Sequence, residues 1–334
     1  MQPEKQVQVY AVTTRNRTEP GVNQFDTGRA VSPNYARFTV SIPPGHAPAK
    51  IEWPKGKPDP AKSFAVTAQS ALSEAEFDKD MLASARKTRK VGVFVHGYNY
   101  NFVESLFRLA QMSGDANIEG APILFSWPSQ ASVAGYLADK ESATYSRDYL
   151  AKLLIELAKD RGPGDITLLG HSMGGWLVME TLRQLKLEGR EDVLSRIEVL
   201  LAAPDIDADV FRTQISVVGK MSPPLTLLVS KDDRALKASS LLAADSVRVG
   251  ALDITDPLVN EIALKEGVQI VDISELSASD AFKHDRFASL ATLYPAVTAN
   301  GRRATLGQAG AFVFDLAGST ISSPFRLAST ILAQ

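Results

Sequence analysis

The chain has no cysteine among its 334 residues. That excludes disulfides, thiol nucleophiles and cysteine-ligated metal sites, but it does not settle the compartment. Histidine is almost as scarce, with four copies, so chemistry that needs an imidazole has few places to reside. No long run of Lys or Arg occurs and the formal net charge is −2, which argues against nucleic acid as a main partner. No window reaches about 18 consecutive apolar residues, so no transmembrane helix is expected. No His/Asp/Glu cluster has ligand spacing such as His-Glu-x-x-His, so neither a metal nor another cofactor is expected. The opening "MQPEKQVQVY" has no apolar signal core and reads as a mature or trimmed start, or as that of a cytoplasmic protein.

The remaining composition is that of an ordinary soluble globular protein, 45% hydrophobic and 22% charged, long enough to bury a sizeable core without a staple. Residues 6–13 and 36–42 read as strands, and 73–87 as a helix opened by Ser and acidic residues. The segment 42–61 between them is a Pro/Gly-rich excursion. From residue 90 strands alternate with helices: strands at 91–97, 121–127, 165–170, 196–204, 225–230 and 267–274, helices near 101–112, 141–160 and 174–188. These strands are apolar on both faces, as parallel strands covered by helices on each side must be. The expectation is one domain over 1–334. Within it, 1–89 would hold the N-terminal strands and the excursion, 90–290 the catalytic core, and 300–334 a tail packing on the domain.

One stretch interrupts the pattern. In "DITLLGHSMGGWLV" (165–178) a strand stops at Gly170-His171-Ser172-Met173-Gly174 and a helix starts at once. This is Gly-x-Ser-x-Gly, in which a sharp strand-to-helix turn exposes a serine and leaves no space for side chains at the flanking positions. Chance produces the three fixed positions in roughly one chain in ten of this length, so the strand before and the helix after carry most of the weight.

A serine hydroxyl needs a general base. His46 lies in the excursion, His96 ends a strand ahead of the presumed oxyanion loop, and His171 adjoins Ser172 on the turn and points elsewhere. His284, in "SDAFKHDRF" after the last strand, remains. The acid that orients it should lie between Ser172 and His284 at a strand end. Asp232 and Asp233 follow one strand; Asp205, Asp207 and Asp209 follow the one before. Asp233 is favoured, because the turn leaves its strand at Ser230 and needs a few residues to reach the histidine loop. Asp232 reads as a solvated or helix-capping neighbour. Asp205 is the runner-up, or else a helix N-cap. Oxyanion donors are expected from the N–H groups of Met173 and Tyr98, with Asn99 behind Tyr98. Asn99 or Asn101 would also serve as a helix cap. His96, Asn99 and Trp127 are candidates for the pocket wall, and Trp127 reads equally as core.

Taken in order, "VFVHGYNYNF", "ILFSWPS", "LLGHSMGG", "LAAPDID" and "VSKDDRAL" resemble a bacterial family of esterase- or lipase-like α/β-hydrolases of unknown function. The resemblance spans roughly residues 5–290. It implies an α/β-hydrolase fold, a mostly parallel central sheet with helices on both faces, with Ser172 as nucleophile and His284 as base. Asp233 falls on the family's Ser-x-x-Asp-x-Ala-Leu pattern at 230–236, whereas the shared Ala-Pro-Asp-Ile-Asp segment keeps Asp205 and Asp207 open as acids. Many relatives look exported or lipid-anchored through an N-terminal segment, which implies the cell envelope, periplasm or export if the start is trimmed, and otherwise the cytoplasm. The expected activity is hydrolysis of a small-molecule or lipid-like carboxylic ester through an acyl-enzyme. A thioesterase, amidase or peptidase would use the same residues, and a non-catalytic hydrolase-like binding module is the alternative from another class.

Overall fold

The computed structural model describes residues 5–117, 120–242 and 246–291. Its chain opens with β1 (Lys5–Arg17), β2 (Phe25–Ile42) and β3 (Ala65–Leu72), which pair antiparallel in sequence order. The helix α1 (Glu74–Lys87) follows, started by a capping box in which Ser73 and Glu76 satisfy each other's backbone N–H groups. The rest alternates: β4 (Val91–Val95), α2 (Phe102–Asp115), β5 (Ala121–Ser126), α3 (Tyr136–Tyr145), α4 (Arg147–Ala158), β6 (Ile166–His171), α5 (Met173–Leu187), α6 (Glu191–Leu194), β7 (Ile197–Ala202), α7 (Ala208–Val218), β8 (Leu225–Val229), α8 (Arg234–Leu242), α9 (Pro257–Glu266), β9 (Val268–Asp272) and α10 (Phe287–Leu290).

The strands form one sheet in the order β3-β2-β1-β5-β4-β6-β7-β8-β9. From β1 to β9 every neighbouring pair is parallel. The N-terminal hairpin strands therefore extend a parallel sheet with an antiparallel edge. Helices cover both faces. The aliphatic rows of α4 and α5, with Leu150, Leu154, Leu177 and Leu182, pack on one side, and α2, with Leu106, Phe107 and Ala110, packs on the other. Such two-sided cover explains why β5, β7 and β8 are buried at every residue. This is the α/β-hydrolase fold. Strand β4 is the switch point: the chain adds β5 on one side of it and then β6 on the other, which opens a crevice at the carboxyl ends of β4 and β6.

Two details depart from the sequence reading. The edge strand β3 was not anticipated, because "AVTAQSAL" is mostly exposed and lacks a clear alternation of apolar residues. The helix expected at 141–160 is two, α3 and α4, divided at Ser146. The Ser146 side chain bonds the Ser142 carbonyl at 2.8 Å and Thr14 Oγ1 of β1 at 2.8 Å, and back-bonding of this kind bends a helix. The 300–334 tail lies outside the described residues.

The Pro/Gly-rich excursion is fastened to α2. The His46 ring lies between Glu52 Oε2 at 2.7 Å and Asp115 Oδ1 at 2.9 Å, the latter at the end of α2. Phe64 and Trp53 pack against Phe107. Burial works to lower the His46 pKa, but the hydrogen bonds and charges of Asp115 and Glu52 outweigh it and hold the value above the ordinary 6.5. A raised folded-state pKa contributes stability that is complete below the unfolded value and is lost as pH rises through the folded one. We therefore expect His46→Gln to cost about 1–3 kcal/mol in acid, where Asp115 and the half-buried Glu52 lose a charged partner. The difference from wild type should shrink steadily in urea denaturation series run from about pH 5.5 to about pH 8.5.

Candidate active site

Ser172 sits between the last residue of β6 and the first of α5, at φ 52° and ψ −122°. For a residue with a Cβ this is a sparsely populated conformation that costs about 1–3 kcal/mol and persists only where its surroundings over-determine it. Here they do. The Ser172 N–H donates to the Ala202 carbonyl at 2.9 Å, and its own carbonyl accepts from Gly175 at 2.9 Å and from Asp205 at 3.2 Å. The glycines are required by contact. A Cβ on Gly174 would meet the carbonyl oxygens of Val95 and His96 at 2.4 Å, and one on Gly170 would meet the Gly175 Cα at 2.9 Å. Gly97 lies against Ser172, with only 2.9 Å from its would-be Cβ to that of the serine. The turn is thus pressed directly onto the end of β4, and Ser172 is 5% exposed.

Two backbone segments flank the hydroxyl. Met173 opens α5, so its N–H belongs to the unused donors of a helix N-terminus, where partial positive charge accumulates. Across from it, Tyr98 follows Gly97. Its hydroxyl donates to the Ser132 and Val133 carbonyls and its ring stands edge-on to Tyr136, 5.4 Å between centroids. The N–H of Asn99, at φ 59°, is taken by Asp139 Oδ2 at 3.4 Å. Asn101 is the α2 cap, in a capping box with Glu104.

The histidine and the acid meet. The His284 Nδ1 lies 2.6 Å from Asp233 Oδ2. The other Asp233 oxygen accepts the Leu236 N–H at 3.0 Å and so caps α8. One wholly buried carboxylate therefore starts a helix and fixes an imidazole. Burial acts to lower the His284 pKa, but the hydrogen bond and charge of Asp233, helped by Asp205 and Asp280, raise it above 6.5. The ring lies 4.6 Å from that of His171, the residue before the serine, and His171 Nε2 donates to the His284 carbonyl at 3.2 Å. His171 stacks on Phe287 at 4.3 Å, and burial first, then the charge of His284, push its pKa far down. It is a neutral packing group.

The remaining acids have other partners. Asp205 accepts from Tyr136 Oη at 2.9 Å and Ser239 Oγ at 2.5 Å and lies 3.2 Å from Arg248 Nε. Asp207 is the N-cap of α7. Asp232 binds Ser230, Lys283 and Arg286. Among the pocket candidates, His96 and Trp127 are wholly buried, stack at 4.8 Å, and are joined by a 2.8 Å bond from Trp127 Nε1 to the His96 carbonyl. They support the loop from beneath. Burial and the charge of Arg15 push the His96 pKa down to about 3.

Arg15 is a buried cation beside this loop that sequence reasoning missed. It lies two residues before the end of β1, almost wholly buried, and donates to Ser126 Oγ at 3.1 Å, the Ser129 carbonyl at 3.1 Å and the Tyr100 carbonyl at 2.8 Å. It thereby ties the loop after β4 to the one after β5. Burial lowers its pKa to about 10, so it is still a cation at neutral pH. Its surroundings, Thr14-Arg15-Asn16-Arg17, are polar and lie beyond the strand read at 6–13, so nothing in the sequence marked it as buried. No group of His, Asp and Glu among the described residues could hold a metal ion, and no described helix is long and apolar enough to cross a membrane.

A strand-to-helix serine turn at the switch point of a mostly parallel sheet defines a hydrolase of the α/β class. The chain belongs to the family described as alpha/beta hydrolase of unknown function (DUF900), whose model matches residues 70–303. No curated protein matches it. A solved structure titled "Putative hydrolase from Agrobacterium vitis S4" is similar at 12% identity over 74% of this chain and 97% of its own, with a TM-score of 0.32.

The contact at Gly174 yields a direct expectation. Gly174→Ala places a methyl group against two backbone oxygens that cannot rotate away, so it should destabilise by about 1–3 kcal/mol and lift the turn off β4. Urea denaturation measures the first effect and a crystal structure of the variant the second.

Proposed function

We propose that the protein hydrolyses carboxylic esters through an acyl-enzyme on Ser172. The observation that carries this reading is the 2.6 Å contact of His284 with Asp233, on a stretch packed against His171, the residue next to a serine held at φ 52°. Ser172 Oγ attacks the ester carbonyl carbon and gives its proton to His284 Nε2. The negative oxygen of the tetrahedral intermediate is received by the N–H groups of Tyr98 and Met173. The carbon–oxygen bond to the leaving group breaks, and the alcohol departs with the proton from His284. Water then loses a proton to the same nitrogen and attacks the acyl carbon, and Ser172 leaves with that proton. Asp233 keeps the imidazole in the tautomer with Nδ1 protonated and stabilises its cation. The 128–145 region, joined to Tyr98 through the Ser132 and Val133 carbonyls, would bear on acyl length in this reading.

Incubation with a short p-nitrophenyl ester and a fluorophosphonate probe tests the reading. Labelling should fall on Ser172, and Ser172→Ala should lose labelling and about 10⁶-fold in kcat. Absence of both turnover and labelling in the wild type points instead to a binding module. Asp233→Asn should cost about 10⁴-fold in kcat, whereas Asp205→Asn should retain more activity.

The pH dependence has a defined sign. The base must be unprotonated at Nε2, so kcat/KM should rise with pH through the raised pKa of His284, above the ordinary 6.5. In Asp233→Asn the residual activity should show its acid limb displaced to lower pH. A pH–rate profile of the two proteins measures this.

A further inference from the structure

His284 lies in an irregular stretch between β9 and α10, so no ladder or helix fixes its position. What fixes it is the turn after β8, and that turn presents two consecutive carboxylates. Asp233 takes the ring. Asp232 takes the flanks: Lys283 Nζ is 2.7 Å from its Oδ2, Arg286 Nη2 is 3.0 Å from the same oxygen, and Arg286 Nη1 contacts Oδ1. The Arg286 pairing is a two-point fork, which sets direction as well as distance. Arg286 is itself held, with Nε donating to the Leu276 carbonyl at 3.1 Å and Nη1 to Ser230 Oγ. The Ser230 hydroxyl in turn donates to Asp232 Oδ1 at 2.9 Å.

These contacts bracket the imidazole. Lys283 immediately precedes it, at φ 60°, and Arg286 follows two residues on. The Lys283 contact is open to solvent and therefore weak, whereas the Arg286 side chain is 6% exposed. On the opposite side the His284 N–H donates to Asp280 Oδ1 at 2.9 Å, and Asp285 is paired with Arg108 of α2 at 3.1 Å. Neither of these contacts involves the β8 turn. The β8 turn holds the histidine stretch through Asp232, through Ser230, which also binds Arg286, and through the Arg234 N–H, which donates to the Phe282 carbonyl at 3.0 Å; Asp232 alone among these is a carboxylate gripping residues on both flanks of the ring.

We propose that Asp232 is a positioning residue for the base: by holding Arg286 and Lys283 it seats the His284 ring on Asp233 and aims Nε2 at Ser172. This rests on the reading of His284 as the general base. The bonds from Arg286, acting against burial, with those from Lys283 and Ser230, hold the Asp232 carboxyl far below its ordinary range, so the clamp is charged wherever the enzyme would work. The two neighbouring acids thus divide the task, one contacting the ring and the other the backbone segment that bears it.

The full-length protein, labelled at histidine with ¹⁵N, gives a readout independent of turnover, because only four imidazoles are present. In wild type the His284 titration should lie above 6.5. In Asp232→Asn it should move down toward 6.5, with kcat reduced about 10- to 100-fold and KM unchanged, as displacement of a catalytic group predicts. Arg286→Lys keeps the charge but loses the fork and should change both readouts in the same direction. It also covers the case in which Asp232→Asn fails to fold. A folded variant that loses thermal stability while His284 titrates as in wild type and kcat is unchanged would overturn the proposal, leaving Asp232 a purely structural ion pair. If the wild type shows no labelling at Ser172, the hydrolytic reading falls, yet the titration still decides whether Asp232 seats the imidazole.

Discussion

The backbone at Ser172 cannot be relaxed without moving three strands. Its N–H is bound to β7, its carbonyl receives donors from both α5 and the loop after β7, and Gly174, two residues on, lies so close to the carbonyls of Val95 and His96 that a Cβ there would clash with both. A positive φ at a serine is unfavourable in isolation, and close packing supplies the restraint that keeps it. Once this turn is in place, α5 starts directly from the serine and the loop after β4 is packed against it at Gly97. The geometry of the site is therefore a consequence of how closely β4 and β6 approach, and glycine is what permits that approach.

Around this point the structure uses polar groups rather than apolar ones to hold its loops. Arg15 collects carbonyls from the loops after β4 and β5, Asp139 holds the N–H groups of Asn99 and Gln130, and Asp205 joins α3 to α8. Hydrogen bonds impose direction, which loops without ladder partners otherwise lack. Buried networks of this type are costly when incomplete, and each carboxylate named here has several donors. The same logic extends to the histidine stretch, where Asp280, Asp285 and the proposed clamp at Asp232 replace secondary structure.

Much of the scaffold could be read directly. The six parallel strands after residue 90 announce themselves as short apolar runs, because burial on both faces removes any polar alternation. The Gly-x-Ser-x-Gly turn was legible because its steric demand admits so few residue types. His284 could be singled out only because the chain has three other histidines, each with a reason to be elsewhere. The β3 strand was less accessible: at an exposed sheet edge its side chains meet water on both sides, so no hydrophobic pattern marks it. The break at Ser146 was hidden for a related reason, since its partner Thr14 lies 132 residues away.

Local chemistry in the sequence determined the α/β architecture, the site of the serine turn and the short set of groups able to surround it, because strand periodicity and the glycine requirement act over a few residues. The sequence favoured Asp233 over its neighbour as the partner of His284, and the tertiary structure decided what each of the two acids meets. Asp232 and Asp233 are adjacent and chemically identical, one residue apart after the end of β8. Only the direction in which each leaves the turn sends one carboxylate to the imidazole and the other to Arg286, and that direction is set by packing between segments about fifty residues apart.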